Sequence, residues 1–338
     1  MIMRTRWMFN DRKNIVEEML DGYIAAHSTL IALSNGLVVR ATRKPEGRVG
    51  LVVANGTGHE PAMIGWVGRG LLDVNVPGPI FSSPGPSQIV AGLKEADRGA
   101  GVLLLVSSHA GDIMNATLAI EEAEAAGLRV AMVVLYDDIA SAPPHRAEDR
   151  RGGPGLFFVW KIVGALAERG ANLADCSEMA RLVRDCTRSI SGAIGTVVHP
   201  VSRQALGAAD GSHLAIGLGV HGEPGTVVSD DLKADDVCEL LIDRLVEDAG
   251  LVAGTRVALM VNNSGSLTLM ELSILYRGAA AALVARGIAV SRSWMGSYAT
   301  TLDQAGFALA ISRLDEELLE LYDAPASSGG FWMGQAQS

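Results

Sequence analysis

The chain has 338 residues, 49% hydrophobic and 20% charged, enough apolar material for two ordinary domains and too much for a disordered chain. Its formal net charge of −10, with no basic cluster, argues against nucleic acid or an anionic membrane surface as partner and favours a small, polar, uncharged molecule. The absence of a long apolar run, of a leader-like start, and of metal-ligand or redox spacing among Cys176, Cys186 and Cys238 predicts a cytoplasmic protein with reduced thiols and no metal site.

In chain order, residues 11–26 read as an amphipathic helix with Asp11 as its N-cap. Residues 49–54 read as a buried strand that runs into Gly56-Thr57-Gly58-His59-Glu60-Pro61. A helix over 87–96, a strand over 101–106, a helix over 113–126 with Gly127 as C-cap and a strand over 129–135 follow. Residues 137–155 form the longest polar, Pro/Gly-rich stretch, either a linker or a functional loop. Helices over 156–168 and 173–185 come next. A second series begins near Ser189: strand 214–220, helix 235–248, strand 256–261, helix 269–286, strand 289–294. Short strands alternating with longer helices predict an α/β fold with mainly parallel or mixed sheets. Two domains are expected, 1–188 and 189–338.

The chemistry concentrates at strand ends. His221 sits in Gly217-Leu218-Gly219-Val220-His221-Gly222-Glu223-Pro224-Gly225, and the His59 motif echoes it. An unprotonated imidazole is a competent nucleophile and adds reversibly to an unhindered ketone, giving a hemiaminal that a polyol cannot form. A turn histidine bonded to a carbonyl explains the same residue, and the pattern alone leaves both readings open. Asp112, in Gly111-Asp112-Ile113-Met114-Asn115, follows a strand where open α/β sheets place ligands; it is equally an N-cap aspartate. Gly217-x-Gly219-x-x-Gly222 matches the dinucleotide fingerprint formally, but Glu223-Pro224-Gly225 stands where its helix should start. No G-x-x-x-x-G-K-[ST] phosphate loop occurs. A nucleotide, if one is used, is expected on another chain.

The two histidine motifs and Gly111-Asp112-x-Met114-Asn115 together resemble the substrate-binding (K) subunit of dihydroxyacetone kinases, almost end to end. Supporting landmarks are Gly78-Pro79-Ile80-Phe81-Ser82-Ser83-Pro84, Arg150-Arg151-Gly152, the run from Tyr298 to Phe307, and Tyr322-Asp323-Ala324-Pro325. The resemblance implies two α/β domains in a homodimer. It assigns His221 as the residue that holds the ketone, with His59 and Asp112 assisting proton removal from the acceptor hydroxyl. Gly56, Thr57, Gly58 and His59 would line the substrate pocket. No cofactor is expected on this chain; Mg2+ with ADP or ATP is expected on a separate nucleotide-binding (L) subunit.

One departure matters. Where the family has Lys-Asn-Tyr-Thr, this chain has Ser107-Ser108-His109-Ala110. A short hydroxyl at Ser107 in place of a long cation opens space and changes the hydrogen-bond pattern. His109 is then either a new polar group beside the substrate or a loop residue facing water. Tyr136-Asp137-Asp138 likewise replaces a run of three acids. The expected substrate is therefore a ketose other than dihydroxyacetone, such as erythrulose or a branched pentulose. A non-catalytic ketose-sensing paralogue that regulates a partner protein is the alternative. An aldolase or isomerase is disfavoured, because no Schiff-base lysine or metal cluster stands at the strand ends.

Overall fold

The computed structural model describes residues 7–206, 213–228 and 232–334. Residues 1–6, part of the start read above for a leader, lie outside the described residues. The chain divides into two compact units, neither of them continuous in sequence. The first comprises Asn14–Leu135, Leu156–Asp185 and Glu316–Ser338; the second comprises Met1–Lys13, Tyr136–Gly155 and Cys186–Asp315.

The first unit is built on a six-stranded sheet in the order Ile31–Ser34, Leu37–Arg40, Val74–Ile80, Gly50–Thr57, Val102–Ser107, Val130–Leu135. The last four strands are mutually parallel. The central strands, Leu-Val-Val-Ala over 51–54 and Val-Leu-Leu-Leu-Val over 102–106, are buried along their length, as parallel strands covered on both faces must be. On one face, helices Pro86–Ala96 and Ala110–Ala125 pack Ile89, Leu93, Ala116, Ala119 and Ala123 against Val52, Val76 and Leu104. Gly127, just past the second of these helices, takes a left-handed φ of 87° and ends it as expected. The antiparallel hairpin Ile31–Ser34/Leu37–Arg40 turns on Asn35-Gly36, both at positive φ, the signature of a type I′ turn. The first helix is Ile15–Ala26 with Asn14 in the N-cap position, so the expectation for Asp11 is corrected. The Asp11 carboxylate instead accepts the Lys13 N–H at 2.9 Å, in a turn before the helix.

In the second unit the sheet runs Thr226–Val228, Leu214–Ile216, Thr187–Ala193, Gly306–Arg313, Arg256–Asn263, Ala289–Gly296. Only its last pair is parallel; the others are antiparallel. The sheets are thus mixed, and the parallel character sits mainly in the first unit. Helices Ala234–Asp248 and Leu269–Ala285 bury Leu241, Leu245, Leu272 and Leu283 against Leu259, Val261 and Leu309. The strand expected over 214–220 stops at Ile216, because Gly217 turns the chain at φ 76°.

The observed division differs from a single cut near Ser189. Residues 316–338 return to the first unit, where Ala326–Ser328 pairs antiparallel with Gly68–Arg69. Residues 136–155 belong to the second, tied there by Asp137. The Ser189 N–H donates to the Asp137 carbonyl at 2.8 Å, and the Ile139 N–H donates to the Ser189 carbonyl at 3.0 Å. The buried Asp137 carboxylate accepts the N–H groups of Gly153 at 2.5 Å and Gly155 at 2.8 Å. The long polar stretch is therefore an ordered loop wrapped around a buried acid.

Burial pushes the Asp137 carboxyl up to about 6, with the neighbouring Asp138 charge adding to it and bonds from Ser189, Gly153 and Gly155 opposing it. This folded value exceeds the roughly 3.9 of an unfolded aspartate. The stability it contributes is complete below about pH 4 and is lost as pH rises through 6. An amide in its place would not titrate. The stability difference between parent and Asp137→Asn should therefore move toward the variant by up to about 3 kcal/mol between pH 4 and pH 7.5. Urea unfolding at the two pH values checks this, and a constant difference would refute it.

Candidate functional site

In the first unit the candidate residues gather at the C-terminal ends of two neighbouring parallel strands, Gly50–Thr57 and Val102–Ser107. Such ends are where open α/β sheets bind ligands, because the strands stop and the following turns are free to carry side chains. Gly58, at φ 97° and with a Cβ position only 2.7 Å from the Phe81 ring, lets the backbone turn tightly after Thr57. Thr57 Oγ1 donates to the Gly78 carbonyl at 3.1 Å, which holds that turn to the adjacent strand. Replacing Gly56 would drive a Cβ to 2.6 Å from the Ser82 nitrogen. His59 follows, 6% exposed, its ring tilted against Phe81 with centroids 4.9 Å apart.

Beyond the neighbouring strand, Ser107 Oγ and His109 Nδ1 share a hydrogen bond at 3.0 Å. Two of the four residues that depart from the family pattern, Ser107 and His109, are thus joined as a polar pair, with His109 half-buried. Asp112 lies in the first turn of helix Ala110–Ala125, whose N-cap position is His109. The N-cap alternative for Asp112 is thereby corrected. Its carboxylate is 7% exposed and accepts a hydrogen bond from Asn55 Nδ2 at 3.0 Å. Proximity to the helix N-terminus stabilises its anion. Sequence reasoning missed Asn55, which looks like the polar end of an apolar strand.

In the second unit, the run from Gly217 to Gly225 folds back on itself. The Gly222 N–H donates to the Gly219 carbonyl at 3.0 Å and the Gly219 N–H to the Glu223 carbonyl at 3.0 Å. Glu223 Oε2 accepts the His221 backbone N–H at 3.0 Å, while Oε1 lies 3.5 Å from His221 Nδ1. A Cβ at residue 219 would sit 2.1 Å from Glu223 Oε2 and 2.4 Å from Arg151 Nη1, so a side chain there would displace those two groups. Arg151 braces it: its guanidinium donates to Asp138 Oδ2 at 2.7 and 3.0 Å and to the Gly217 carbonyl at 2.9 Å. Arg151 was legible only as part of a landmark string.

The two histidine motifs are not equivalent. Burial pushes the Glu60 carboxyl up against the pull of backbone N–H bonds, including that of Gly58. Burial acts on Glu223 too, but the His221 side chain and backbone outweigh it and hold the carboxyl down at about 2. The Glu223 carboxylate, held low, faces Nδ1 of its histidine at 3.5 Å. A carboxylate facing Nδ1 favours the tautomer with the proton there, leaving a lone pair on Nε2.

Residues 21–330 match the Dak1 domain family. The chain is 35% identical over 313 residues to the dihydroxyacetone-binding subunit DhaK of PTS-dependent dihydroxyacetone kinase 1 of Listeria innocua, covering 92% of this chain and 94% of that one. It is 35% identical over 332 residues to the L-erythrulose kinase of Pectobacterium atrosepticum, covering 97% of this chain but 56% of that protein. The crystal structure of the C. freundii dihydroxyacetone kinase in complex with AMP-PNP and Mg2+ superposes with a TM-score of 0.86 at 31% identity, over 98% of this chain and 61% of that one. The chain thus spans nearly all of a separate subunit and little over half of the longer kinases.

Proposed function

Since the chain belongs to the Dak1 family, we propose that it is the ketose-binding component of a kinase, phosphorylating a terminal hydroxyl of a short-chain ketose. The observation that carries this reading is the His221–Glu223 arrangement. His221 Nε2 adds to the ketone carbon, and the carbonyl π electrons move to oxygen, which takes up a proton. The ring passes through an imidazolium, whose Nδ1–H faces the Glu223 carboxylate; loss of that proton leaves a neutral hemiaminal. Asp112 orients the acceptor hydroxyl and accepts its proton late in transfer, and His59 polarises or relays it. Gly56, Thr57 and Gly58 line the ketose.

Mg2+ with ATP, or with ADP recharged to ATP by a phosphoprotein, would supply the phosphoryl group and the charge neutralisation that transfer requires. It is assigned to a nucleotide-bearing L subunit or its equivalent. Support comes from the longer relatives, in which roughly two fifths of the length lies outside the part matched here. A homodimer in the cytoplasm completes the reading; among the described residues no helix is long and apolar enough to cross a membrane. Ser107 and His109, in place of a long cation, together with the L-erythrulose kinase among the relatives, favour a ketose longer than dihydroxyacetone.

The test is carbon-13 NMR of the protein with carbonyl-labelled ketoses of three to five carbons. One ketose should lose its carbonyl resonance and gain that of a bound tetrahedral carbon; no conversion with any ketose would overturn the reading. In the same experiment Glu223→Gln keeps an acceptor for the His221 backbone N–H but removes the anion opposite Nδ1. About tenfold weaker capture is expected, the scale of one partly exposed charge-assisted hydrogen bond. Undiminished capture would show that Glu223 only shapes the turn.

A further inference from the structure

Asn55 stands two residues past the last paired position of strand Gly50–Thr57 with its neighbour. Pairing with Val102–Ser107 runs from Gly50 opposite Val102 to Val53 opposite Leu105. On the other side Asn55 is still in register, opposite Pro77. The side chain is 5% exposed, and its amide nitrogen donates to Asp112 Oδ2 at 3.0 Å. A carboxylate offers only acceptors, so the nitrogen must face it. That orientation leaves Asn55 Oδ1 buried with no hydrogen-bond partner among the described protein groups.

A buried acceptor without a partner destabilises the fold. The strand residues before it, Leu51-Val52-Val53-Ala54, show what packing alone selects here. An amide held at this position against its own stability points to a task outside packing. We propose that Asn55 is a positioning residue for Asp112. Its N–H bond fixes one carboxylate oxygen and favours the anionic form. Asn55 itself exchanges no proton. The inference rests on the reading of Asp112 as the base, but its physical content is measurable without a partner or a nucleotide.

The experiment follows the side-chain carboxyl titration of Asp112 by NMR in aspartate-labelled protein, assigned by the signal that disappears in Asp112→Asn. In Asn55→Ala the midpoint should rise by roughly one pH unit, since a hydrogen bond to the charged form is lost. Ketose capture at His221 should stay within about twofold of the parent, because a bond confined to Asp112 plays no part in that addition. An unchanged midpoint overturns the proposal, as does loss of capture alongside the shift, which would mark Asn55 as structural. Should Asn55→Ala fail to fold, Asn55→Asp decides. It keeps the shape but sets a second carboxylate against the first, so the pair should hold a proton to higher pH; no change there overturns the proposal equally. If parent protein captures no ketose while the midpoint still responds to Asn55, the functional reading fails and the coupling stands.

Discussion

His221→Ala should abolish covalent ketose capture and lower phosphorylation with the nucleotide-bearing partner by about 10^3-fold or more, the scale seen when a nucleophile is removed. The carbonyl resonance of a labelled ketose should persist in the variant at concentrations that convert it fully in the parent. The fold should survive. Glu223 would still accept the backbone N–H of residue 221, and Gly219 and Arg151 would still shape the turn. Removing a partly exposed side chain from a turn costs on the order of 0.5 kcal/mol. Loss of capture with an unchanged melting temperature therefore isolates the imidazole. Capture that persists in the variant would assign the nucleophile elsewhere and reduce His221 to a turn residue bonded to Glu223.

The two strand-end histidines and Asp112 were legible in the sequence because glycine-rich turns after apolar strands announce a sheet edge, and the cores of the parallel strands, over 51–54 and 102–106, are apolar without interruption. Thr187–Ala193 and Gly306–Arg313 were harder to read. The first is a half-polar Thr-Arg-Ser-Ile-Ser-Gly-Ala whose strand character comes from pairing on both sides. The hairpin at Asn35-Gly36 carried a strong local signal that helix-strand alternation obscured. The loop over 137–155 read as either a linker or a functional loop, because its organising contact, a buried Asp137 carboxylate on two backbone N–H groups, leaves no periodic trace. Asn55 and Glu223 show the same limit. A hydrogen bond across 57 residues, or the different fates of two carboxylates in similar histidine motifs, depends on packing that spacing does not encode.

Asp112→Asn should separate capture from transfer. The substitution keeps the volume of the side chain, and its amide oxygen can still accept from Asn55 Nδ2. Ketose addition at His221 involves neither residue and should remain near the parent level. Turnover with the nucleotide-bearing partner should fall by about 10^2- to 10^4-fold, the usual range for removing a general base. The lower end is expected if the base acts only late, after the phosphoryl group has largely left its donor. His59 does not replace it in this reading, since that ring is packed against Phe81 and is assigned to polarise or relay. Unaffected turnover would transfer the base role away from Asp112, whereas a joint loss of capture and turnover would make it a ketose-binding group. The parent supplies the remaining contrast. A chain that captures ketose yet shows no transfer, with Mg2+-ATP and its own partner present, is a sensor, and Asp112→Asn would then leave every readout where it was.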